Sequence, residues 1–115
     1  MDVTIYHNPR CSKSRQALEL LRGYGIEPVI VEYLKHPPGK KELQVLLERL
    51  GMEPRDLMRR KEDAYRENRL DDPGLSREQL IAALAEHPVL IERPIVVADD
   101  RAVVGRPPEK VLDIL

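Results

Sequence analysis

The sequence predicts an α/β fold: one four-stranded mixed sheet built as βαβ, a helical middle, then ββα. Three observations carry that expectation. A β-favouring run, a helical segment and a β-branched run succeed one another between Val3 and Val31, the pattern of a βαβ unit. Two further β-branched runs, Ile95-Val96-Val97 and Ala102-Val103-Val104, lie near the end of the chain. Leucines at helical spacing fill the centre.

The elements follow in order. The run Val3–His7 reads as a strand, closed by the turn-forming pair Asn8-Pro9. A helix is expected from about Ser12 to Arg22, with Ala17, Leu18 and Leu21 on one face and Gly23 and Gly25 ending it. Val29-Ile30-Val31 is continuous and β-branched, as expected of a strand buried on both faces. Strand, helix and strand at this spacing imply a parallel pair with a right-handed crossover. After Pro37-Pro38-Gly39, the residues Leu43, Leu46, Leu47 and Leu50 repeat at i, i+3, i+4 and i+7, and Gly51 stops that helix. Residues 54–75 are polar, which suits one or two short helices with loops. Ser76 and Gln79 form a capping-box signature ahead of Leu80, Ile81 and Leu84, and Pro88 ends that helix. The polar connection Ala98-Asp99-Asp100-Arg101 joins the last two β-branched runs as an antiparallel hairpin. Pro108 opens a last helix containing Val111, Leu112 and Leu115. This order is that of a thioredoxin-like domain with an enlarged helical middle segment.

Composition bounds the rest. A chain of 115 residues suits one domain, spanning 1–115. With 42% hydrophobic residues but no Phe or Trp, the core must be built from Leu, Ile and Val. Nineteen basic residues balance 20 acidic ones, which gives no general case for binding nucleic acid. No apolar run approaches the roughly 20 residues needed to cross a bilayer, so no membrane partner is expected. Met1-Asp2-Val3-Thr4 lacks the features of a secretory signal. One cysteine makes neither a disulfide nor a cysteine-based zinc site, so the expected location is the reducing cytoplasm, with no metal and no bound cofactor.

That cysteine, Cys11, stands between the first strand and the first helix, within His7-Asn8-Pro9-Arg10-Cys11-Ser12-Lys13-Ser14-Arg15. Unpaired N–H groups and the positive end of the helix dipole favour a thiolate there, and the same groups hold an oxyanion beside it. Cys11-x-x-Ser14 has no second thiol, so an external thiol must resolve any covalent intermediate. Ser12 and Ser14 serve as cap or first-turn residues, and their hydroxyls are also candidate donors to an oxyanion or the thiolate. His7, if protonated, would lower the thiol pKa, while Asn8 shapes the loop. In the thioredoxin architecture a proline at the position of Pro94 is cis and faces the cysteine, which would carry Arg93 to Cys11. Arg106, before Pro107, approaches from the same side. Guanidinium forks neutralise a tetrahedral oxyanion and favour the thiolate together.

Taken together, these residues resemble the glutaredoxin-coupled arsenate reductase family. The likeness runs over essentially the whole chain. It includes Ile5-Tyr6-His7-Asn8-Pro9 before Cys11-x-x-Ser14-Arg15, Tyr33-Leu34 before Pro37-Pro38, and Leu57-Met58-Arg59 before Asp63-x-Tyr65. It continues with His87-Pro88, Ile91-x-Arg93-Pro94-Ile95-Val96-Val97 and Gly105-Arg106-Pro107. The resemblance implies that Cys11 is the nucleophile that bonds to arsenic and that Arg59, Arg93 and Arg106 bind the anion and stabilise the thiolate. It matches His7 to a histidine thought to influence the cysteine pKa. The implied partners are arsenate or a similar oxyanion, glutathione as co-substrate, and glutaredoxin. Ser12 and Lys13 depart from the common Cys-Gly-x-Ser form, which bears on substrate choice. Two other readings share the scaffold: a paralogue acting on another glutathione-linked substrate, and a non-enzymatic transcriptional regulator. Regulators of this superfamily commonly carry a Cys-x-x-Cys switch that Ser14 removes here.

Overall fold

Strand β1 (Val3–His7) organises the sheet, and the computed structural model describes every residue from Met1 to Leu115. It pairs in parallel with β2 (Val29–Glu32) and antiparallel with β3 (Ile95–Ala98), and β3 pairs antiparallel with β4 (Arg101–Val104). The order β2-β1-β3-β4 is the expected four-stranded mixed sheet, with the thioredoxin-like succession βαβ, helices, ββα. Helix α1 (Ser12–Gly23) connects β1 to β2. No helix is long and apolar enough to cross a membrane.

Contacts divide the chain into two compact units. The first joins Met1–His36 to Arg93–Leu115 and holds the sheet and α1. Its core is Val3, Ile5, Ala17, Leu18, Leu21, Val96, Ala98, Val111 and Ile114, so α1 buries the face that its periodicity marked. Gly105 admits a close approach here: a Cβ would stand 3.0 Å from Pro94 Cγ and 3.2 Å from Val111 Cγ1. Its N–H donates to the Pro94 carbonyl at 2.9 Å, which ties the segment carrying Arg93 to the segment carrying Arg106.

The second unit, Pro37–Glu92, packs α2 (Lys40–Leu50) on α4 (Arg77–Glu86) through buried Leu43, Leu46, Leu47, Leu80, Ile81 and Leu84. Gly51 ends α2 in the left-handed region at φ 66°, and the Met52 N–H closes the end on the Leu47 carbonyl at 3.1 Å. Ser76 and Gln79 form the expected capping box of α4. The polar stretch contains a 3₁₀ turn, Pro54–Leu57, and a short helix α3, Asp63–Glu67. Arg55 holds it closed, donating from Nε to the Leu70 carbonyl at 2.9 Å and from Nη2 to that of Asp72.

Three expectations require correction. Strand β2 is not buried on both faces: Val29 is 65% and Ile30 40% exposed, because β2 lies at the sheet edge. The strand buried throughout is β3, which has neighbours on both sides. The hairpin is tighter than a four-residue connection, since Ala98 pairs with Arg101 and only Asp99-Asp100 turn. Asp99 adopts φ 55°, a conformation that Asp tolerates, and its Oδ1 accepts the Asp2 N–H at 3.1 Å. The last helix, Pro108–Ile114, is a 3₁₀ helix, with i→i+3 bonds such as Lys110 N–H to the Pro107 carbonyl at 3.1 Å.

Candidate active site

The loop Asn8-Pro9-Arg10 is built to present Cys11. The Cys11 N–H donates to the Asn8 carbonyl at 3.0 Å, and Asn8 Oδ1 accepts the Arg10 N–H at 3.0 Å. Arg15 reaches back from α1 and donates from Nη1 to the Pro9 carbonyl at 2.9 Å. Cys11 itself is the N-cap of α1, with extended backbone at φ −90° and ψ 123°. It is a free, half-buried cysteine.

The Cys11 thiol is pulled below its ordinary pKa. Burial is the largest single influence and opposes ionisation. The Ser14 N–H, the Arg93 guanidinium as both donor and charge, and the Lys13 N–H together outweigh it. The helix N-terminus and an arginine therefore act on one sulfur, as expected of a nucleophilic thiol. Arg106 joins them, with Nη1 3.9 Å from Cys11 Sγ, and the same nitrogen donates to the Arg93 carbonyl at 3.2 Å.

Arg93 carries a second signal. Its Nε is the one buried side-chain nitrogen or oxygen in the chain without a protein partner. An unmade hydrogen bond at a buried donor costs about 1–3 kcal/mol, and an incoming acceptor recovers it. Beside a thiol of lowered pKa and a second guanidinium, the acceptor that fits is an oxyanion. The Arg93–Pro94 bond is cis, as the thioredoxin-like reading expected, and the Arg106–Pro107 bond is cis as well, which the sequence did not signal.

The structure revises the parts of His7 and Ser14. His7 is buried, and burial lowers its pKa; Glu32 opposes the shift, while Arg22 and Arg15 reinforce it. The ring is therefore neutral near pH 7 and does not act on Cys11 as a cation. Its Nδ1 instead lies 2.6 Å from the hydroxyl of Ser14, which is fully buried. The same hydroxyl oxygen accepts the Asn8 N–H at 3.0 Å. The Ser14 side chain is thus occupied by the loop, and it is the Ser14 backbone N–H that serves the thiolate. Replacing Ser14 with alanine removes two bonds from a buried junction. The expected loss is about 1–3 kcal/mol in urea denaturation.

The remaining candidate, Arg59, belongs to the second unit. Its guanidinium donates from Nη1 to Glu62 Oε1, and its Nε lies 3.8 Å from Glu92 Oε1. Its backbone N–H donates to the Leu90 carbonyl at 2.7 Å. No group of three or more His, Cys, Asp or Glu side chains is arranged to hold a metal ion.

Known proteins resemble this chain over its whole length. The chain is 49% identical over 116 residues to an arsenate reductase of Haemophilus influenzae, covering 100% of each. It is 55% identical over 114 residues to YfgD, an uncharacterized protein of Escherichia coli, covering 98% of this chain and 96% of that one. Among solved structures, an arsenate reductase from Vibrio cholerae superposes with a TM-score of 0.98 at 54% identity, covering 100% of this chain and 98% of that one. A model of the ArsC family matches residues 6–114, from the first strand through the last turn. The chain therefore belongs to the ArsC family.

Proposed function

We propose that this protein reduces arsenate to arsenite, with Cys11 as the nucleophile and glutathione and glutaredoxin as the source of electrons. The observation that carries the reading is the meeting of Arg93 and Arg106 at the Cys11 sulfur. The arsenate reductases among its full-length relatives support the choice of oxyanion.

The Cys11 thiolate attacks the arsenic, and one arsenate oxygen leaves as water, giving a thiol–arsenate adduct. Arg93 and Arg106 neutralise the oxyanion so that an anionic sulfur can approach it. The orphaned Arg93 Nε gains its acceptor at this point. Arg59 is the third anion-binding arginine in this reading, on the family pattern Leu57-Met58-Arg59. With no second cysteine, two external thiols supply the two electrons. Glutathione displaces a second oxygen of the adduct as water. The glutaredoxin thiolate attacks that glutathione sulfur to form one disulfide while the sulfur–arsenic electron pair passes to arsenic. Water then hydrolyses the Cys11–arsenic bond to free arsenite and the thiol. Arsenic passes from the +5 to the +3 state, and the two thiols become one disulfide. Such thiols abound in a reducing cytoplasm, which is the location this chemistry requires.

The test is anaerobic turnover with arsenate, glutathione and glutaredoxin, with arsenite measured as product. Wild type is expected to turn over, and Cys11→Ser to fall to the uncatalysed background. No turnover by wild type under excess reductant would overturn the reading. Sulfate and phosphate, offered as competing oxyanions, report whether the site selects arsenic by its redox chemistry or by anion shape.

A further inference from the structure

We propose that the groove along the exposed face of α1 is the binding site for the small thiol that resolves the Cys11 adduct, and that it recognises the γ-glutamyl arm of glutathione. The inference rests on the reading above that an external thiol attacks at Cys11. The groove has a volume of about 440 Å³, inside the roughly 300–1,000 Å³ range of pockets that hold small ligands. Its lining includes Pro9, Ser12, Arg15, Gln16, Glu19 and Arg22. Pro9 stands two residues before Cys11 in the chain and Ser12 directly after it, and from Ser12 the lining continues along the helix to Arg22.

The chemistry of the lining selects the ligand. Residues 12, 15, 16, 19 and 22 recur at helical spacing and form one face of α1. Arg15 and Glu19 sit one turn apart on it, both exposed, with opposite charges. A γ-glutamyl group ends in a carboxylate and an ammonium on one carbon, and this pair matches Arg15 and Glu19. Gln16 stands between them with an amide that suits the peptide bond of the ligand. Ser12 and Glu19 are about 10 Å apart along the helix axis, comparable with the extended reach from the thiol sulfur to the glutamyl head. Arg22 is less available, because it forks onto Glu27 with bonds of 2.9–3.2 Å. Arg15 gives only Nη1 to the Pro9 carbonyl.

The test uses thiol–disulfide exchange, which needs neither arsenate nor glutaredoxin. Cys11 thiolate attacks glutathione disulfide, forms the mixed disulfide and releases one glutathione thiolate. The rate is followed by intact mass and divided by the rate with uncharged 2-hydroxyethyl disulfide. Glutathione disulfide is a net anion, so removing a negative charge near Cys11 by Glu19→Gln would, through general electrostatics, speed its attack. The groove predicts the opposite sign: Glu19→Gln lowers the rate ratio by about three- to fivefold, the scale of one lost exposed ion pair. Arg15→Gln is expected to lower it by a similar factor. The disulfide of cysteinylglycine, which lacks the γ-glutamyl arm, is expected to show no dependence on Glu19. An unchanged or increased ratio in Glu19→Gln overturns the proposal, as does an equal loss with cysteinylglycine disulfide. A chain that reduces no arsenate yet shows the Glu19-dependent preference keeps the groove and loses the arsenate reading.

Discussion

Arg93→Ala is expected to raise the pH midpoint of Cys11 alkylation and to cut oxyanion turnover by about 10²–10³-fold, the usual cost of removing one preorganised charge-stabilising donor. Arg93 acts on the sulfur twice, as hydrogen-bond donor and as charge. Burial pushes the thiol upward, and without Arg93 only the Ser14 and Lys13 N–H groups and the Arg106 guanidinium, 3.9 Å from the sulfur, oppose it. The sign follows from the reactive species. Alkylation tracks the thiolate fraction, so wild type reaches half its limiting rate below the ordinary thiol pKa, and the variant does so at higher pH. Arg93→Lys separates the two contributions. Lysine keeps the charge, so the midpoint stays low, but it lacks the planar fork, so turnover remains depressed. The measurement is the rate of iodoacetamide incorporation across pH, beside kcat/KM for arsenate. An unchanged midpoint in Arg93→Ala would mean that the guanidinium is not felt at the sulfur.

Ile5→Ala is expected to destabilise the protein by about 2–5 kcal/mol, the range for deleting a fully buried aliphatic side chain. Ile5 is completely buried in the central strand, between its cross-strand partners Ile30 and Val96, and belongs to the core under α1. Against a total stability of about 5–15 kcal/mol, such a loss consumes much of the margin. Val29→Ala, a similar trimming of a β-branched residue in the neighbouring strand, is expected to change stability by less than about 0.5 kcal/mol. The difference follows from exposure alone, since Val29 is solvated at the sheet edge. Urea denaturation of both variants checks the pair. Equal losses would mean that β2 is covered.

How much of this was legible beforehand varied with the kind of interaction. Helices α1, α2 and α4 were readable because their apolar residues recur at helical spacing and because Gly51 and the Ser76–Gln79 box mark ends by local chemistry. The strands were readable as strands, but their burial was not. Val29-Ile30-Val31 and Ile95-Val96-Val97 are nearly the same string, yet one is an edge and the other is central. Position in a sheet depends on what pairs on each side, and no local pattern encodes that. Arg93 and Arg106 were named from the proline motifs that follow them, whereas the buried, orphaned Nε of Arg93 appears only once the fold surrounds it. His7 was named as a group that would act on Cys11 if protonated, and burial, which no local pattern shows, disfavours that protonated form.

The amino-acid sequence by itself determined the fold class, the lone thiol ahead of a helix and the arginines available to it, because these follow from periodicity, capping and residue chemistry close along the chain. Tertiary structure alone decided which strand is covered, that His7 is a neutral partner of Ser14, and that Arg93 and Arg106 meet one sulfur from more than 80 residues away along the chain. The reason is physical: burial and electrostatics depend on distance through space, and a linear string carries distance only along itself.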